Sequence, residues 1–183
     1  MADEIYLSYW LRDPEQGLPQ FERLLRRFPF SRLARRAAVL RTYALEQAEP
    51  PQAEYAIEAA PDPAAVVALA RELAHRDVSF QLEAAWDLLQ WEEDWKLAPS
   101  PVVLACFGPA FDNPAGDHLR VELGRDTLYL PDPERAGAAR AAQANLRSVV
   151  QLTRDLDAAL EARERRLWNE AGEDLADLLI ARA

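Results

Sequence analysis

Between Glu4 and Arg12 apolar and polar residues alternate, with Ile5, Leu7, Tyr9 and Leu11 on one face and Tyr6, Ser8 and Trp10 on the other. A period of two predicts a half-buried strand. Gly17 and Pro19 end it, and Leu18, Phe21, Leu25 and Phe28 then recur at spacings of three and four. That stripe predicts an amphipathic helix, closed by Pro29, which disfavours helical geometry at Phe28. Alternation returns over residues 37–45 through Val39, Tyr43 and Leu45, and Tyr55 and Ile57 mark a partner strand beyond the Pro50–Pro51 turn. Pro61-Asp62-Pro63 predicts a helix start with Asp62 as N-cap, followed by the apolar stripe Val66, Leu69, Ala70 and Leu73. The longest period-two run then extends from Val78 to Leu88.

This β-α-β-β-α-β order predicts an α+β fold built on a ferredoxin-like sandwich. Further elements extend it. Val102 to Phe107 reads as a continuous apolar strand, and residues 118–124 and 127–130 as a hairpin about Gly124-Arg125-Asp126. Asp132-Pro133 caps a long helical region whose apolar positions run through Leu146, Val149, Leu156 and Leu160 to Leu167. Asn169 to Glu173 interrupts it, and Leu175, Leu178 and Leu179 begin a short last helix. Residues 1–131 therefore form an antiparallel-sheet core, and 132–183 a helical extension packed on the same domain. Residues 91–101 carry the least regular pattern.

At 183 residues with 50% hydrophobic and 28% charged positions, the chain has enough apolar area for a sizeable core. No run approaches the ~20 apolar residues of a membrane span. The N-terminus is acidic where a signal peptide is basic, and the single Cys106 has no internal disulfide partner, so a cytoplasmic location is expected.

The net charge of -10 disfavours nucleic acid and anionic membrane as partners, but it is unevenly spread. Arg23, Arg26, Arg27, Arg32, Arg35, Arg36 and Arg41 face only Glu22 in their stretch. The solvated back of a helix explains Arg23, Arg26 and Arg27. With Tyr6 and Trp10 the basic patch also invites an RNA-associated reading, although no aromatic RNA-binding core motif is present. The acidic counterpart is Trp86 to Trp95, where Trp91 and Trp95 bracket Glu92, Glu93 and Asp94. Aromatic anchors among carboxylates suit a basic protein partner, or the basic patch of a second copy in a homodimer.

Catalytic and metal chemistry finds little footing. Cys106 and His118, with Asp112 or Asp117 as orienter, are the nearest approach to a nucleophile and base, but Cys106 lies in an apolar strand. Asp112, Asn113, Asp117 and His118 read as turn chemistry rather than a calcium or zinc site. Glu83 and Asp87 form a glycosidase-like pair only if a cleft raises one pKa. No phosphate loop or nucleophile elbow is present. No catalytic residue, metal site or cofactor is assigned. The leading expectation is a non-enzymatic protein-binding protein, of which an immunity-type inhibitor is one version. The alternatives are an enzyme or small-ligand binder with a pocket between the sheet and the C-terminal elements, and an RNA-associated protein.

Overall fold

The computed structural model describes residues 3–46 and 50–175. Ten principal elements follow in order: β1 (Glu4–Leu11), α1 (Gly17–Arg27), β2 (Ala38–Ala44), β3 (Ala53–Ile57), α2 (Pro63–Glu72), β4 (Val78–Trp91), β5 (Trp95–Phe107), β6 (Leu119–Arg125), α3 (Ala138–Ala159) and β7 (Ala162–Asn169). The strands form one seven-stranded sheet in the order β3-β2-β4-β5-β6-β1-β7, and every neighbouring pair is antiparallel. The fold is α+β, and among the described residues no helix is long and apolar enough to cross a membrane.

The three helices share one face of the sheet, α1 lying between α2 and α3. The alternation read in β1 has its cause there: Ile5, Leu7, Tyr9 and Leu11 point into this layer and are 0–2% exposed. Phe21, Leu24 and Leu25 of α1, Val66 and Val67 of α2, and Val149, Leu152 and Leu156 of α3 meet them. Asp62 caps α2 as its position before Pro63 predicts, its carboxylate accepting from the Ala64 N–H.

The ferredoxin-like expectation extends only to the element order. A split βαβ unit sets one strand between β1 and β2, whereas here β4, β5 and β6 all stand between them. Three local expectations also change. The expected strand over 102–107 begins at Trp95 and crosses Pro99 and Pro101, making a long hairpin with β4. The expected hairpin about Gly124 is β6 followed by a 3-10 turn at Asp126–Leu128, with no return strand at 127–130. The C-terminal helical region stops at Ala159; Leu160 turns extended (φ -98, ψ 142) and β7 adds to the sheet beside β1. Leu156, Leu160 and Leu167 sit at spacings that continue a helical stripe, so periodicity alone runs the helix through the turn. Of the expected last helix, Leu178 and Leu179 lie outside the described residues.

Candidate interaction surface

The sheet face opposite the helices carries Tyr6 and Ser8 of β1, Arg120 and Glu122 of β6, Phe107 of β5, and Trp168 of β7. At its centre the Arg120 guanidinium is gripped by Asp117, which accepts from Nε at 2.8 Å and from Nη2 at 2.6 Å. Asn113 accepts from Nη2 at 3.1 Å and donates to Asp117 at 2.7 Å. Ser8 donates to Asp117 at 2.6 Å, and the Trp168 indole donates to Ser8 at 2.9 Å. The same guanidinium lies 5.0 Å from the Phe107 ring centroid and 5.6 Å from those of Tyr6 and Trp168. Asp117 is 1% exposed, so this is a buried ion pair whose lone pairs are met on every side. A trough of about 350 Å³ opens beside it, with Phe111, Asn113 and Trp168 in its walls.

A larger trough, about 670 Å³, lies where β6 gives way to the 3-10 turn and stops pairing with β5. Glu4, Glu83, Glu122 and Arg125 line it over a floor that includes Val102, Val103 and Leu128, with Arg125 3.9 Å from Glu4. Arg41 is ion-paired with Glu83 and with Glu54, at 2.8 Å in the second case. Glu122 has no hydrogen bond among the described residues, and burial, then Glu4 and Asp117, push its carboxyl above the usual range against the pull of Arg120. Burial and the carboxylates Glu122, Glu170 and Glu4 likewise push the Tyr6 hydroxyl up to about 12.

Trp91 and Trp95 pack edge to face across the β4–β5 turn, centroids 5.4 Å apart. They turn inward. The Trp95 indole donates to the Ala136 carbonyl at 2.8 Å, and Arg135 lies 5.8 Å from the Trp91 ring, so the pair fastens the hairpin to the segment before α3. Glu92, Glu93 and Asp94 are exposed at the tip, with Lys96 3.8 Å from Glu92. Of the basic patch, Arg23 pairs with Glu161 at 2.7 Å and Arg26 with Glu22 at 2.6 Å. Arg27, Arg32, Arg35 and Arg36 are exposed without an ion pair among the described residues. The patch is thus divided between a helix back and the loop after α1.

The groups weighed for chemistry are held apart. Cys106 faces the α1 side, where a Cβ on Gly17 would lie 3.2 Å from its sulfur, and burial pushes its thiol up to about 12. His118 accepts the Leu11 N–H on Nδ1 at 2.9 Å, and burial together with Arg163 holds its pKa below the usual value. Asp87 accepts from the Ser31 hydroxyl and from the Arg32 N–H, tying down the loop after α1. Among the described residues no group of three His, Cys, Asp or Glu side chains is placed to hold a metal ion. The Arg120 centre escapes sequence reading because Ser8, Asp117 and Trp168 lie up to 160 positions apart. Comparison with protein-family models, curated proteins and solved structures finds no match.

Proposed function

We propose that this protein is a non-catalytic binding module for a basic protein partner. The observation that carries the reading is where exposed acids outnumber the cations beside them. Glu92, Glu93 and Asp94 stand exposed on a hairpin tip braced by the Trp91–Trp95 pair, offset by Lys96 at 3.8 Å from Glu92, and Glu122 on the open face has no hydrogen bond among the described residues. Acids fixed in place before binding lose little freedom when a cation meets them, and a field of one sign speeds encounter. In contrast, Cys106, His118, Asp117 and Asp87 are all engaged inside the fold.

Three labelled probes test this by fluorescence anisotropy: a peptide alternating Lys or Arg with Val, the same peptide with Glu replacing the basic residues, and an RNA hairpin. Only the basic peptide binds on this account, more weakly as salt is raised. RNA binding at physiological salt, abolished by Arg26→Glu with Arg27→Glu, moves the function to nucleic acid; a silent basic peptide removes the reading.

The 670 Å³ trough favours a second reading, a small-ligand binder that takes an organic cation against Glu4, Glu83 and Glu122. Thermal stabilisation by spermidine, lost in Glu122→Gln, supports it; equal stabilisation of both proteins dismisses it.

A further inference from the structure

We infer that the outer edge of β3 is where the partner docks, as an added strand with Lys or Arg at alternate positions; this rests on the basic-partner reading above. In an antiparallel sheet the N–H and C=O of one residue point to the same side, and successive residues point to opposite sides. The Ala85 carbonyl accepts from the Ser31 N–H, so odd-numbered residues of β4 face away from β5 and towards β2. Through the unshifted registers, Arg41 of β2 then faces Gln81, Leu40 faces Tyr55 of β3, and Glu54 and Ala56 face outward. Both are exposed, and among the described residues nothing bonds to their backbone groups.

Every other unpaired run in the sheet is blocked or ill-suited. On β4 beyond the reach of β2, the Asn145 side-chain amide accepts from the Leu89 N–H and donates to the Leu89 carbonyl, both at 2.9 Å. On β5 beyond β6, Pro99 and Pro101 share the outward parity and bring no N–H. On β7, Leu175 and Glu173 fold back to bond Leu167 and Asn169, and Arg163, Arg165 and Arg166 crowd the remainder. Proteins protect edges in these ways, and an edge left open is a template for another strand.

Charge selects the occupant. A second copy paired about Ala56 would set Glu54 opposite Glu58 of its mate, and like charges directly opposed destabilise a ladder. The same two acids are exposed and four residues apart along the edge; Glu54 shares the single Arg41 with Glu83, and Glu58 has no ion pair among the described residues, so the edge keeps an excess of negative charge that favours alternating cations instead.

Amide hydrogen exchange with and without the alternating basic peptide tests the inference. The peptide should slow exchange at Glu54 and Ala56 at least tenfold. Ala56→Pro removes one outward N–H where no ladder bond exists, so it should weaken the peptide at least tenfold with Tm little changed. Glu58→Lys, which leaves the backbone intact, should weaken it several-fold and serves if Ala56→Pro fails to fold. Peptide binding lost on Glu92→Lys with Glu93→Lys, but with Glu54 and Ala56 unprotected and Glu58→Lys neutral, overturns the edge while leaving the basic-partner reading standing. If no basic probe binds, both fall.

Discussion

Among single residues, Asp117 bears the most on stability. Among the described residues its carboxylate is the only anion within hydrogen-bonding reach of Arg120, whose side chain is 12% exposed. Removing one partner of a buried pair leaves the other charge uncompensated, a larger penalty than the net worth of the pair. Asp117→Ala should therefore cost about 3–5 kcal/mol by denaturant unfolding. A loss below about 1 kcal/mol would show that water reaches the guanidinium freely.

Glu122 makes the opposite prediction. Because its folded pKa is raised, the folded state holds a proton that the unfolded state has released between the unfolded value of 4.5 and the folded one. Stability from this group is complete below pH 4.5 and is lost as pH rises through the folded pKa. Glu122→Gln should raise Tm at pH 7, and the gain over wild type should vanish at pH 3.5, by differential scanning calorimetry. His118 runs the other way: with its pKa lowered, its stability is complete above the ordinary 6.5 and declines as pH falls.

At the scale of elements, the legible parts are those whose pattern has one physical cause. β1 and α2 read correctly because one buried face and one N-cap suffice to define them. β5 was obscured because Pro99 and Pro101 signal a break; they are tolerated since both lie on the side of the strand that has no partner. β7 was obscured because its leucine continues the spacing of α3, although four charged residues in a row, Arg163 to Arg166, suit an edge strand. The surface was less legible than the fold. Trp91 and Trp95 bracket the acidic tip in sequence, but only the packing shows that both rings face the segment before α3.

Two substitutions test these elements. A Cβ on Gly108 would lie 2.3 Å from the Arg76 carbonyl oxygen and 2.8 Å from that of Val78, so the end of β5 needs glycine for space alone. Gly108→Ala should destabilise by at least ~2 kcal/mol in urea unfolding, whereas an unchanged midpoint would show that this crossing yields. Trp95→Phe keeps a ring against Gly137 but removes the bond to Ala136, and should cost about 1 kcal/mol while loosening the tip in hydrogen exchange.

At the scale of the whole molecule, one sheet separates two tasks. The helix-covered face supplies the core, and the uncovered face with its acidic tip and open β3 edge supplies a charged surface. On the proposed reading the acidic tip steers a basic segment and the edge retains it, so charge and backbone changes divide between association and dissociation. The most direct measurement is stopped-flow binding of the alternating basic peptide across a salt series, with wild type and Glu92→Lys plus Glu93→Lys. Association should slow as salt shortens the screening length to about 10 Å near 0.1 M, and should be slower and less salt-sensitive in the variant. Association independent of salt and identical in both proteins would rule out steering by the acidic tip.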